Sequence, residues 1–232
     1  MEKIMNSVKL IAATEPRIQI PAESDPEAFR LLGKESFIAY CARVSNPANQ
    51  DNPDSEKLLK YLVKHKHWSP FEMVHLVMEI NTTRDIARQI LRHRSFSFQE
   101  FSQRYANVTV MSEPREARLQ DNKNRQNSIQ TDDNDLHDTW YDWQKQIKKE
   151  VQHAYEWAIE NGIAKEVARS ILPEGLTMSR MYMSGSLRSW IHYCELRMDN
   201  GTQKEHREIA TQCWNIITEQ FPSLKNVLDN NQ

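Results

Sequence analysis

Phe71-Glu-Met-Val-His-Leu-Val-Met-Glu-Ile80 alternates along its length: Val74, Leu76, Met78 and Ile80 fall on one side, Met73, His75, Val77 and Glu79 on the other. Successive strand side chains point to opposite faces, so a period of two predicts a strand with one dry face. Directly after it the period changes. Ile86, Ala87, Ile90 and Leu91 are spaced as one helix face, which predicts a helix from Thr83, as its cap, to about Arg94.

Upstream, Val8 to Ala13 reads as a short strand, and Pro26 to Ala42 as a helix opened by Asp25 with Pro26 at its first position. Asn46 to Pro53 is a polar turn, and Leu58, Leu59, Leu62 and Val63 stripe an amphipathic helix from about Asp54 to Lys66. Downstream, Tyr105 to Met111 has strand character, and the polar run Ser112 to Asp135 reads as a mobile surface excursion. Leu136, Trp140, Trp143, Ile147, Val151, Ala154 and Ala158 mark a long helix, expected to serve core and subunit contact, that stops at Asn161-Gly162. A short helix from Lys165 to Leu172 is halted by Pro173; a strand from Leu176 to Ser184 and helices at about Leu187 to Met198 and Gln203 to Phe221 follow. Helices bracketing a few separated strands predict one α+β domain around a mainly antiparallel or mixed sheet.

Composition narrows the function. The 232 residues are 39% hydrophobic and 27% charged, with a mean hydropathy of -0.75 and no apolar run near the roughly 18 residues of a spanning helix. No secretory leader precedes Pro16, so a cytoplasmic protein is expected. Thirty Lys and Arg against 32 Asp and Glu give a net charge of -2, which leaves no global field for nucleic acid or an anionic membrane. Five glycines, none in a GxGxxG or Walker loop, exclude a backbone phosphate cradle. Any phosphate must be held by side chains. Cys41, Cys194 and Cys213 form no CxxC pair and read as buried thiols. His65-x-His67 with Glu72 and His75 lacks HExxH or a carboxylate set, so no metal is expected. Trp68 and Trp190 could face a flat ligand, but fit core or interface better; Met178, Met181 and Met183 read as packing.

The chemistry concentrates between residues 84 and 104, which hold five arginines and no lysine against Asp85 and Glu100. Arg84, Arg88 and Arg92 share one helix face, where their repulsion costs a few tenths of a kcal/mol per pair, on the order of the known i,i+4 penalty. Arginine offers a planar five-donor fork that clamps phosphate bidentately and stacks on flat rings. His93, Ser97, Gln99, Glu100 and Ser102 add short-range hydrogen bonding among those charges.

Arg92-His93-Arg94, seven residues, then Ser102 resembles the RHR-x7-S signature of the flavin-dependent thymidylate synthases. Arg88-Gln89 precedes it, and Glu100-x-Ser102-x-Arg104-Tyr105 completes it. Cys41-Ala42-Arg43-Val44-Ser45 is similar to the family's ARVS segment, and His65-x-His67-x-Ser69-Pro70-Phe71-Glu72 to its HxHxTPFEH, with Ser69 for Thr and Met73 for the last His. Glu166-Val-Ala-Arg169, Leu187-Arg188-Ser189 and Leu196-Arg197 follow in order, so the resemblance spans about Ala42 to Arg197. Gln99, Ser186 and His192 stand where the family often has Asn, which keeps hydrogen-bonding character but changes reach.

The resemblance implies a homotetramer that converts dUMP to dTMP, with methylenetetrahydrofolate as carbon donor, FAD as hydride carrier and NADPH as reductant. Carried over by residue, FAD would be held by Ser45, His67, Ser69, Glu72, Arg92, His93, Arg94, Glu100, Ser186, Arg188 and His192, with Arg197 a further candidate. The nucleotide would be held by Gln89, Arg92, Glu100, Ser102, Gln103, Arg104, Arg169 and Arg197, with Ser102 and Arg104 at the phosphate and Arg169 as the catalytic charge stabiliser. The sets overlap because the family stacks pyrimidine on flavin and shares each site between subunits. Two other readings stand beside this one. An Arg-rich nucleic-acid-binding protein would be colourless and bind polynucleotides with steep salt dependence; a cysteine-dependent thymidylate synthase would need a PCH-like nucleophile segment, which the sequence lacks.

Overall fold

The alternating stretch is a strand, His75–Thr83, and it is interior to a four-stranded antiparallel sheet. A computed structural model describes residues 6–22, 25–52, 54–108, 110–225 and 227–228; Pro53 of the expected turn and Thr109 of the expected 105–111 strand lie outside the described residues. In chain order the elements are β1 (Ser7–Ala13), β2 (Gln19–Ala22), β3 (Asp25–Leu31), α1 (Lys34–Ala42), α2 (Glu56–Lys64), β4 (His75–Thr83), α3 (Arg84–Ile90), β5 (Ser97–Glu100), β6 (Arg118–Gln120), β7 (Ser128–Gln130), α4 (Asn134–Glu160), α5 (Lys165–Ala168), β8 (Met178–Ser186), α6 (Leu187–Arg197) and α7 (Lys204–Gln220). Short 3-10 turns lie at Ser69–Met73 and Arg169–Ile171.

The sheet order is β1-β4-β8-β5, so the class is α+β with an antiparallel sheet. Its dry face is set by register: Leu76 pairs with Gly185, Met78 with Met183 and Ile80 with Met181. These residues are buried, and Phe98 of β5 pairs with Met183 on the same side. Helices α1, α2, α3, α6 and α7 contribute to the same hydrophobic cluster through Ile38, Leu59, Ile90, Trp190 and Ile217 among others. Each such aliphatic side chain contributes roughly 1.5 to 3 kcal/mol. Gly185 has a steric reason: a Cβ there would lie 2.4 Å from Phe96 Cδ1, so the ring could not lie against β8.

Several elements differ from expectation. The stretch Pro26 to Ala42 is not one helix: β3 pairs with β2 through Gln19–Leu31 and Ile20–Arg30, and α1 starts only after Gly33. Cross-strand pairing overrides the helix-start reading of Asp25-Pro26. The described residues of 105–111 form no strand; Met111 makes one isolated bridge to Thr177, and β5 within the Arg-rich stretch takes the edge position instead. The helix after β4 ends at Ile90 rather than Arg94, and Thr83 makes no capping bond, because its hydroxyl donates to Asp85 and accepts from Arg115.

Within the polar segment 112–135, β6 and β7 pair as a hairpin. Its base is tied down by Arg115, bidentate to Asp85 at 2.7 and 2.8 Å, and by Arg118 on Glu205. The long helix α4 is capped by Asp133 and stopped by Gly162 in the left-handed region, yet it adds little to the core. Trp140, Trp143 and Trp157 are all exposed on it. Trp190, Cys194 and Cys213 are fully buried as expected, whereas Trp68 and Cys41 are only partly so. No helix among the described residues is long and apolar enough to cross a membrane.

Candidate active site

The chain beyond α3 turns at Arg92-His93-Arg94 and returns as β5, so the basic triplet sits in a tight turn beside the ends of α3 and α6. His93 is the inward member: Arg197 Nε donates to His93 Nε2 at 2.9 Å, and the imidazole packs edge-on to Tyr193. Burial, reinforced by the Arg197 charge, lowers its pKa to about 4, so the ring is neutral with its proton on Nδ1. Arg92 and Arg94 face outward, exposed and with no ion pair to any described residue. Their neighbours in the run are matched. Arg84 lies 3.6 Å from Glu100, Arg88 bonds Glu174 at 3.0 Å, and Arg104 lies 3.5 Å from Glu166.

A second group assembles where the 3-10 turn 69–73 meets α6. Arg188 pairs with Glu72, and His192 stands edge-on to Trp68 with ring centroids 4.6 Å apart. Burial and the Arg188 charge both push the His192 imidazole below its usual range. Ser186 caps α6 by accepting from Ser189 N, so its hydroxyl is partly committed to the helix. His67 and Ser69 are exposed at the start of this turn, following Lys66, whose φ of 58° is uncommon for a residue with a side chain. Ser45 is exposed after α1.

Glu100 is held from two sides. It accepts from Ser179 Oγ at 2.7 Å and faces Arg84, so both its carboxylate partners come from other elements. Ser102, Gln103 and Arg104 follow in a turn, where Arg104 N donates to Ser102 Oγ at 3.4 Å. Gln103 is buried, and its Nε2 has no acceptor among the described residues. Arg169, in the turn after α5, makes no side-chain bond to a described residue and is only partly buried. The structure thus brings together Glu72, Arg188 and His192, and separately His93 with Arg197. Ser102, Arg104 and Arg169 lie toward α5, and no direct contact joins them to the flavin set.

Sequence reasoning missed the supporting layer. Gln89, partly exposed, is held by Gln203 at 2.8 Å and by the buried His206 at 3.3 Å. His206 shares the stripe of Ile209, Ala210, Cys213, Trp214 and Ile217, so helical periodicity marks it as an inward imidazole in need of partners. Among the described residues no cluster of His, Cys, Asp and Glu could hold a metal ion. Nor is a thiolate available: burial raises the Cys194, Cys213 and Cys41 thiols.

The donor set fits a dianionic ligand pair. With no glycine cradle, two exposed guanidinium groups without carboxylate partners among the described residues and one buried amide without an acceptor there are donors of the kind that bind phosphate or pyrophosphate.

Comparison with known proteins agrees with this reading. The profile of the family described as "Thymidylate synthase complementing protein" matches residues 30–223. A flavin-dependent thymidylate synthase from Synechocystis sp. is 50% identical over 222 residues, covering 96% of this chain and 99% of the relative. A probable flavin-dependent thymidylate synthase of Paramecium bursaria Chlorella virus 1 is 48% identical over 224 residues, with coverage of 96% and 99%. The fold matches that of the UMP/dUMP methylase PolB from Streptomyces cacaoi, solved with 5-Br dUMP, at a TM-score of 0.79 and 22% identity over 97% of this chain and 95% of that one. The chain belongs to the flavin-dependent thymidylate synthase family.

Proposed function

We propose that the protein converts dUMP to dTMP with bound FAD, methylenetetrahydrofolate as carbon donor and NADPH as reductant, acting as a cytoplasmic homotetramer. The observation that carries this reading is the outward pair Arg92 and Arg94 in a family signature, without carboxylate partners among the described residues while Arg84, Arg88 and Arg104 have them. When bound, the flavin supplies the hydride that a methylene group needs to become a methyl group.

The chain supplies position and charge. Arg92, Arg94, His93 and Arg188, with Ser45, His67, Ser69, Glu72, Glu100, Ser186 and His192, are the groups to hold FAD. Neutral His93 accepts from Arg197 and keeps an N–H to donate, so it orders Arg197 without adding charge. Ser102 and Arg104 hold the nucleotide phosphate, with Gln89, Gln103, Glu100 and Arg197 around the rest of the nucleotide. The Arg104 to Glu166 pair is exposed and loose, so exchanging the carboxylate for phosphate costs little. Arg169, without an acidic partner among the described residues, stabilises the negative charge that develops on the pyrimidine. No enzyme nucleophile takes part: the thiols are protonated, and Ser102 has arginine rather than a base beside it.

The exposed tryptophans of α4 favour an assembly, since a monomer rarely leaves three on one helix in water. Sites shared between subunits also suit the separation of Arg169 from the flavin set. The test is an anaerobic assay of the purified protein with dUMP, methylenetetrahydrofolate and NADPH, read as dTMP by mass, with an absorption spectrum and light scattering alongside. Yellow tetramers that form dTMP support the proposal. A colourless protein that binds polynucleotides favours the rival reading.

A further inference from the structure

Tyr193, His206, Gln89, Gln203, Glu205 and Arg118 form one continuous hydrogen-bonded chain from the core to the 118–130 hairpin. The distances are 3.1 Å for Tyr193 OH to His206 Nε2, 3.3 Å for His206 Nδ1 to Gln89 Oε1, 2.8 Å for Gln89 Nε2 to Gln203 Oε1, and 3.0 Å for Gln203 Nε2 to Glu205 Oε2. Arg118 Nη2 closes the far end on Glu205 Oε1. His206, Gln89 and Gln203 can each accept from one neighbour and donate to the next, so the direction of the chain is set at its ends.

Glu205 sets it. Burial alone would raise its carboxyl, but a backbone hydrogen bond and the charges of Arg115 and Arg118 outweigh that and hold it below the usual carboxylate range. An ionised carboxylate only accepts. Gln203 must therefore offer it N–H, which leaves Gln203 Oε1 to accept from Gln89 Nε2, and Gln89 Oε1 to accept from His206 Nδ1–H. His206 Nε2 is then left to accept the Tyr193 hydroxyl proton. Burial, with the charge of Arg197, lowers the His206 pKa to about 3 and keeps the ring neutral as this order requires.

We infer that Gln203 and His206 are positioning residues for nucleotide recognition: Gln203, oriented by Glu205, sets the order of the Gln89 amide and His206 holds the amide in place, so that one N–H of Nε2 and one lone pair of Oε1 stay free in a set order. A free glutamine flips at little cost and presents donor and acceptor in either order. In this chain a flip would set the Gln89 oxygen against the Gln203 oxygen, which Glu205 keeps as an acceptor, and would hold the His206 bond only after a change of tautomer. The inference rests on the proposed role of Gln89 in holding dUMP, and adds to it the residues that hold Gln89.

The test is steady-state kinetics and direct dUMP titration of the flavin-loaded protein carrying His206→Leu, His206→Asn, Gln203→Leu, Gln89→Ala, and His206→Leu with Gln89→Ala. Loss of one ordering hydrogen bond predicts a dUMP KM raised about five- to tenfold in His206→Leu, with kcat within about twofold. His206→Asn, whose amide nitrogen stands near the place of Nδ1, restores KM to within about twofold of the wild type. Gln203→Leu, made at a partly exposed position, reproduces the rise and decides the matter if His206→Leu does not fold. On the Gln89→Ala background His206→Leu adds nothing further. Penalties that add on that background, or a KM unmoved in folded His206→Leu and Gln203→Leu proteins, overturn the inference. A wild-type protein that turns over dUMP while Gln89→Ala keeps its KM also overturns it, whereas a wild type inactive on dUMP breaks the functional reading itself.

Discussion

Arg84 and Arg92 lie eight residues apart in one basic run and meet opposite surroundings. Arg84 is mostly covered and faces Glu100, which Ser179 also holds. Arg92 is exposed at the turn beyond α3 and faces no carboxylate of the described residues, as does Arg94. Arg88 and Arg104 stand between the extremes, paired but in solvent. A run of like charges is therefore two things at once. Where a covered carboxylate faces the arginine, as at Arg84, the arginine is structural; where the pair is exposed and loose or absent, as at Arg104 and Arg92, the guanidinium is free for the ligand of the proposed function. Composition cannot separate the two, because the deciding carboxylates, Glu100, Glu166 and Glu174, come from other elements.

Substitution of Arg104 should give the largest effect in this series. Its pair with Glu166 is more than half exposed, so the folded state loses little, while a charge-assisted phosphate contact of about 1.5 to 3 kcal/mol is removed. Arg104→Ala is expected to raise the dUMP KM on the order of tenfold to a hundredfold with an unchanged melting temperature. An unchanged KM would place Arg104 with Arg84 on the structural side. Ser102→Ala should act more weakly, raising KM by about three- to tenfold, the loss of one neutral donor, while turnover at saturating dUMP persists. A pyrimidine trapped on Ser102 by mass spectrometry would contradict its assignment as a donor. Arg88→Ala should be nearly silent, with a stability change within about 0.5 kcal/mol by denaturant titration, because its pair with Glu174 is an exposed one. A dUMP or flavin defect there would move Arg88 to the ligand side and blur the comparison.

The parts of the molecule legible from sequence are those where local period and burial agree. β4 alternates because one face is dry, and α7 repeats at helical spacing because Ile209, Cys213 and Ile217 all face the core. Residues 26–42 were not legible as two elements, since Asp25-Pro26 is a good helix start and only the distant partner β2 makes that stretch a strand. α4 was legible as a helix and its length correct, yet Leu136, Trp140, Trp143, Ile147 and Trp157 stay exposed, because period shows a face and not what covers it. The candidate site divides the same way. The arginine turn could be found from charge density and the signature. The support of Gln89 by Gln203 and His206 could not, because residues more than a hundred positions apart meet only once α7 packs against α3.

Flavin occupancy of Arg92→Ala against Arg88→Ala, read from the absorption spectrum after gel filtration at equal protein concentration, tests the division most directly. The account expects Arg88→Ala to elute yellow with the occupancy of the parent protein, and Arg92→Ala to elute folded and largely colourless. Full flavin occupancy in Arg92→Ala, or equal loss in both variants, would contradict it.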